Sequence, residues 1–181
     1  MTTSSRRARL REKAANGDSR AFVDLSHDLH EQRPIRLRES ALWCRKAAEL
    51  GDPWAQGWLG HCHDLGLGVR RDAARAMSWW RRALRSFASM RARVSRSPAY
   101  RRASARDRRS IEEILRGAMS TVMSSMGDCL LGEGVRRNRR QAVRWLRKAA
   151  ELGDRASTIS LSDLIIFEDL KCAIVIEAVL C

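Results

Sequence analysis

The chain has 181 residues, 44% of them apolar and only three of them proline, which excludes a disordered chain and favours a helical domain with a real core. Thirty-five Lys and Arg against 21 Asp and Glu leave a net charge of +14, and nearly all the cations are arginine. Such a field draws acidic partners (nucleic acid, an anionic membrane surface or an acidic protein), although a GC-rich genome that writes arginine wherever a cation is tolerated produces the same bias.

Residues 1–11, MTTSSRRARLR, carry Ser, Thr and Arg without an acid. They read either as a targeting segment or as a frayed end. No apolar stretch follows them, so no secretory signal is expected. No run of about 18 apolar residues occurs, so no membrane-spanning helix is expected either. The five cysteines, Cys44, Cys62, Cys129, Cys172 and Cys181, form no CxxC pair, and the odd count suits reduced thiols. The expected location is cytoplasmic.

From residue 12 onward the chain repeats itself. EKAANGD at 12–18 is a weaker copy of RKAAELGD, which stands at 45–52 and again, unchanged, at 147–154. Asp18 to Asp52 is 34 residues and Asp52 to Asp154 is 102, three times 34. GLGV at 66–69 and GEGV at 132–135 lie 66 apart, and so do Trp79 and Trp145 in Ala-x-x-Trp, with Ser40-x-x-Trp43 ahead of them. A period in this range is the mark of a helical repeat array.

Each motif has a local meaning. Gly51 and Gly153 suit the left-handed residue that ends a helix, and Asp52 and Asp154 suit the cap of the next one. Pro53 falls at a first helical position. The glycines of GLGV and GEGV permit a turn, and Asp72 and Asn138 suit caps after it. Each unit therefore reads as helix, Gly-rich turn, helix, LGD junction. Ala55, Leu59, Cys62 and Leu65 mark the core side of a first helix, and Ala76, Trp79, Trp80 and Ala83 that of a second, as do Ala142, Trp145, Leu146 and Ala149. Trp43, Trp79 and Trp145 are read as core fillers at one repeated position. Stepping by 34 places units near 18–51, 52–85, 86–119, 120–153 and 154–170, with an N-terminal helix or flexible end at 1–17 and an apolar tail or cap at 171–181. The stretch 86–119 is then a decayed or replaced unit; Ser110-Ile111-Glu112-Glu113 fits a capping box, and Ile114, Leu115 and Ala118 could stand where Trp-x-x-x-Ala normally does.

These residues resemble the Sel1-like repeat family, relatives of tetratricopeptide repeats. The unit at 52–85 carries the likeness best, through Ala55, Leu59, Gly60, Gly66, Gly68, Val69, Ala76, Trp79, Trp80 and Ala83, and departs from it at His63 and Leu84. The unit at 120–153 keeps Gly127, Gly132, Gly134, Val135, Ala142, Trp145, Ala149, Ala150, Gly153 and Asp154. The first unit keeps Asp18, Ala21, Leu25, Trp43 and Ala47 but has EQRPIRLR at 31–38 in place of the turn. The resemblance implies an all-α fold, a right-handed solenoid of stacked antiparallel helix pairs. It also implies a protein–protein adaptor or scaffold that holds its partner on the concave face and carries no catalytic residues, no metal and no cofactor.

Two places stand out as candidate sites. Trp54 and Trp58 lie four apart on a first helix and have no aromatic counterparts in the other units, so they suit either partner anchors or core packing. From Ser86 to Ser110 there are eight arginines (Arg91, Arg93, Arg96, Arg101, Arg102, Arg106, Arg108 and Arg109) against one acid, Asp107, a net of +7. That segment reads as a clamp for phosphates or an acidic protein, with Tyr100 free to stack on a base, or as a solvated insertion. Serines among the arginines could take phosphate and weaken the clamp. The expected partner is another protein, an acidic one included, with nucleic acid as the alternative. His27 and His30 could share a helix face, whereas His61 and His63, two apart, point apart; ordinary surface or interhelical histidines are the favoured reading over a metal site. Cys62 and Cys129 precede the two Gly-rich turns and are read as free buried thiols. No Ser/His/Asp order, phosphate loop or HExxH motif is present, which speaks against an enzyme.

Overall fold

The computed structural model describes residues 3–15, 18–30, 36–132 and 137–164, all of them helix or short connection with no strand among them. The helices are α1 (Thr3–Ala15), α2 (Ser19–His30), α3 (Leu37–Glu49), α4 (Pro53–Leu65), α5 (Ala73–Arg96), α6 (Pro98–Arg102), α7 (Ala105–Leu131) and α8 (Arg139–Glu151). Residues 155–164 are helical as well. The chain divides into two compact units, Met1–Ala118 and Met119–Cys181, with α7 running through the boundary.

The LGD copies fold alike because the same bonds close them. Asp18, Asp52 and Asp154 each donate their backbone N–H to the carbonyl five residues back, on Lys13, Ala47 and Ala149, at 3.1, 3.1 and 3.0 Å. Gly51 and Gly153 supply the left-handed turn at φ 93° and 94°. The aspartate carboxylates then accept from the third residue onward: Ala21 N–H at 3.3 Å, Ala55 N–H at 2.9 Å and Ser157 N–H at 2.8 Å. Asp72 and Asn138 cap α5 and α8 in the same way, accepting from Arg75 and Gln141 N–H at 2.9 and 3.0 Å.

In the first unit α1 packs on α2, α2 on α3, α3 on α4 and α4 on α5. The core between them includes Leu25, Cys44, Ala47, Ala48, Ala55, Leu59 and Cys62. The Ala76–Ala83 side of α5 is buried as expected, but Leu65 is 55% exposed, since α4 ends there and Gly66 turns the chain away. In the second unit Met126, Ala142, Leu146 and Ala149 are fully buried.

The repeated tryptophans need a correction. Trp43, Trp79 and Trp145 are only half-buried. The core position is the next residue, Cys44, Trp80 or Leu146, at most 1% exposed in each case. Trp43 and Trp79 pack against the core from its edge, and each repeated tryptophan lies under a cation from one turn on: Lys46 at 4.5 Å, Arg82 at 5.3 Å and Lys148 at 4.9 Å from the ring centre. Such contacts contribute about 0.5–1 kcal/mol where water reaches them. Trp80 enters the core because Gly60 on α4 has no side chain: a Cβ there would collide with the Trp80 ring. Its indole N–H donates to the Gly57 carbonyl at 3.1 Å. In the second unit Gly127 admits Leu146 in the same manner, a Cβ falling 2.6 Å from Leu146 Cγ.

In the stretch 86–119 the helix ends do not follow the 34-residue step. α5 runs on to Arg96, α6 is a single short turn, and α7 begins at Ala105 with no break where a 34-residue step would put one. Ser110 lies inside α7, so it caps nothing. The cap is Ser104, whose Oγ accepts from Asp107 N–H at 3.1 Å while its hydroxyl donates to Asp107 Oδ2 at 2.7 Å. Leu115 is buried, whereas Ile114 is 59% exposed. The apolar tail at 171–181, the Pro-containing 31–35 and the GEGV residues 133–135 lie outside the described residues.

Candidate functional site

Pro53 at the first turn of α4 presets the helical φ, and the Asp52 cap fixes where the helix starts. Trp54 and Trp58 therefore emerge one turn apart, but into different surroundings. Trp54 is half-buried, its ring edge-on to Phe87 of α5 at 5.0 Å and 82°. Its exposed side lines a cleft of about 340 Å³ shared with Arg6 of α1 and with Arg20, Val23, Asp24, His27 and Asp28 of α2.

The polar wall of this cleft is built from ion pairs. Arg7 donates to Asp28 Oδ2 at 2.6 Å, with Arg6 3.9 Å from the other oxygen of the same carboxylate. Arg20 reaches Asp24 at 3.4 Å, one turn along α2. Trp58 sits farther along α4, with His27 against it at 5.6 Å and His61 stacked on it at 5.8 Å and 26°. Three rings from two helices thus form a row that continues from the cleft. The arrangement offers one aromatic surface, both signs of charge and imidazole donors, which suits a peptide segment better than a small apolar molecule.

The other sequence candidates fall elsewhere. His63 is 3% exposed and belongs to the core side of α4. Burial holds its pKa below the usual value, as do the charges of Arg75 and Arg45, while a bond to the Arg70 backbone and the charge of Asp72 oppose the shift. His61 is engaged with Trp58, and the His30 side chain lies outside the described residues. Among the described residues no three His, Cys, Asp or Glu side chains converge as a metal site would require. Cys44, Cys62 and Cys129 are buried and outside any disulfide. Burial pushes the Cys62 thiol up to about 11 and Cys44 upward as well, so neither supplies a thiolate nucleophile at neutral pH.

The arginines of 91–109 occupy the end of α5, all of α6 and the start of α7, and every one is exposed. The chain doubles back here: Arg91 on α5 pairs with Glu112 on α7 at 3.0 Å. Tyr100 is half-buried and donates its hydroxyl to the same carboxylate at 3.3 Å. The cleft walls from α1 and α2 escaped sequence reading, although Arg20, Asp24 and Asp28 at four-residue steps were a visible signal.

The Sel1 repeat family profile matches residues 37–52, 55–86 and 122–154. Three segments of the chain thus match the Sel1 repeat. A crystal structure of a Sel1 repeat protein from Oxalobacter formigenes superposes with a TM-score of 0.56 at 25% identity, covering 86% of this chain and 96% of that one. A second, of the protective antigen c5321 of uropathogenic Escherichia coli, which displays an SLR fold, gives a TM-score of 0.45 at 26% identity over 90% of this chain and 36% of its own. No curated protein matches the chain. The fold class is thus that of the all-α Sel1 solenoids. Sel1 repeats serve in general as protein–protein interaction scaffolds, a fold without a catalytic centre of its own. The matched Sel1 segments include Trp58 and the LGD junctions, but Trp54 and residues 87–121 fall between them.

Proposed function

We propose that this chain is a non-catalytic scaffold that holds a segment of a partner protein along the α2–α4 face, with Trp54 as its anchor. The observation that carries this reading is the cleft beside Trp54, where an indole meets two carboxylates and two guanidinium groups in about 340 Å³. A partner side chain seated there loses water against an aromatic wall, and its polar ends meet charges of either sign. The row of His27, Trp58 and His61 extends the contact along the groove. Interface energy concentrates on such part-buried aromatic groups, with surrounding polar residues excluding water.

The test begins with tagged full-length protein retained on native lysate after nuclease treatment, followed by synthesis of the partner segment that crosslinks to α2. Titration calorimetry of that peptide against Trp54→Ala should show a loss of about 2 kcal/mol or more, some thirtyfold in Kd. Asp24→Lys, at the cleft rim, should weaken binding without disturbing the Phe87 contact. Wild-type affinity in both variants, with their helix content intact, sinks the groove assignment.

A further inference from the structure

The groove around Trp54 makes no use of the net charge of the chain. We propose that the arginine face of α5, α6 and the start of α7 is a second binding surface, for the phosphate backbone of nucleic acid. It stands independently of the groove and would survive the failure of that reading.

The segment is built, not loose. The matched repeat ends at residue 86, yet α5 continues to Arg96, and Glu112 ties α7 back to both Arg91 and Tyr100. The inner side of α5 is spent on the core through Ala76, Met77, Trp80, Ala83 and Phe87. Its opposite side carries Arg81, Arg85, Arg93 and Arg96, all exposed, over about 22 Å of helix at 1.5 Å per residue. Arg101 and Arg102 follow on α6 and are exposed as well. Among the described residues none of these six forms an ion pair, while Arg91 alone of the segment takes Glu112. Like charges one turn apart repel and destabilise a helix, so the face is relieved when an array of anions approaches it.

The absence of apolar surface there selects among polyanions. Between residues 81 and 116 the exposed large apolar side chain is Ile114, and the single tyrosine is tied down. A stable protein interface gains most from a desolvated aromatic or aliphatic centre, and insertion into a membrane surface from an apolar helix face. Nucleic-acid interfaces need neither, being more polar and far more positive. Arginine forks match phosphate oxygens, and a surface of forks without base-reading geometry binds without regard to sequence.

Fluorescence anisotropy of a labelled 20-base-pair duplex, titrated with full-length protein at 50 to 200 mM salt, tests this. Replacing Arg93, Arg96, Arg101 and Arg102 by Gln should lower the slope of log affinity against log salt by about 3.6, at roughly 0.9 per lost phosphate contact. The matching Arg→Lys variant, which keeps the charge, should retain the slope. Gln at Arg140, Arg144, Arg147 and Arg155 removes the same four charges from the other unit and should leave most of the slope. If that control weakens binding as much as the first variant, the field of the whole molecule is responsible and the surface is refuted. Polyglutamate of equal charge competing as well as unlabelled duplex would reassign the face to an acidic protein and equally overturn the proposal. Circular dichroism on each variant separates loss of contact from loss of helix.

Discussion

Glycines do different work at different positions, and their neighbours decide which. Gly51 and Gly68 both have positive φ, 93° and 70°. A Cβ on Gly51 meets nothing within 4 Å, whereas one on Gly68 would strike the Leu37 carbonyl and the start of α3. Gly51→Ala should therefore cost only the left-handed strain, about 1–2 kcal/mol. Gly68→Ala adds a backbone collision and should cost about 2–4 kcal/mol. Urea unfolding of the two variants checks the order; equal losses would mean that the turn shifts freely away from α3. Sequence reading assigned both glycines to turns correctly, since positive φ is a local property. The collision with Leu37 joins residues some thirty apart and has no local trace. The tryptophans teach the same lesson: the repeat marks Trp79 and Trp145 clearly, but the buried partner of the first-helix glycine is the residue after each, Trp80 against Gly60 and Leu146 against Gly127.

At the level of elements, the capped helices were legible because a cap is a contact of three residues. Asp52, Asp72 and Asn138 all accept from the backbone where their spacing predicted. The stretch 86–119 was not legible in this way. Two Ser-x-x-acid patterns compete there, Ser104 to Asp107 and Ser110 to Glu113, and only the first sits at a helix start. Ser104→Ala should cost about 1 kcal/mol and raise hydrogen exchange in the first turns of α7. Ser110→Ala should leave both nearly unchanged. Faster exchange from the second variant than the first would place the start of α7 at the wrong serine. Both patterns satisfy the same local rule, and the helix simply starts one pattern earlier, so that Glu112 lies two turns inside it, where it meets Arg91 and Tyr100.

On the scale of the whole molecule, one buried histidine couples stability to pH. His63 on α4 has its pKa lowered chiefly by burial. Below the ordinary value of 6.5 the unfolded chain accepts a proton that the folded chain resists, so stability present above that pH is lost as pH falls. Chemical denaturation of the full chain should show stability declining from pH 7 to pH 5, and His63→Gln should flatten that slope. Glu39, held below its usual range mainly by Arg11, adds a loss only as pH falls below about 4.5, outside that window. An unchanged slope in the variant would assign the decline to other groups.

The sequence by itself determined the helix pairs, their junctions and the Sel1 period, because these rest on φ preference, capping and apolar spacing, all settled within a few residues. It also located the arginine-rich segment and the Trp54–Trp58 pair. Only the tertiary structure decided what those residues face. The second tryptophan of Trp79-Trp80 is the core one because Gly60 on another helix leaves room for it. Trp54 lines a cleft because α1 and α2 bring ion-paired walls to it. Tyr100 is held down because α7 returns Glu112 to its hydroxyl. Each outcome depends on contacts between distant parts of the chain, and no local pattern encodes which helix will supply the neighbour.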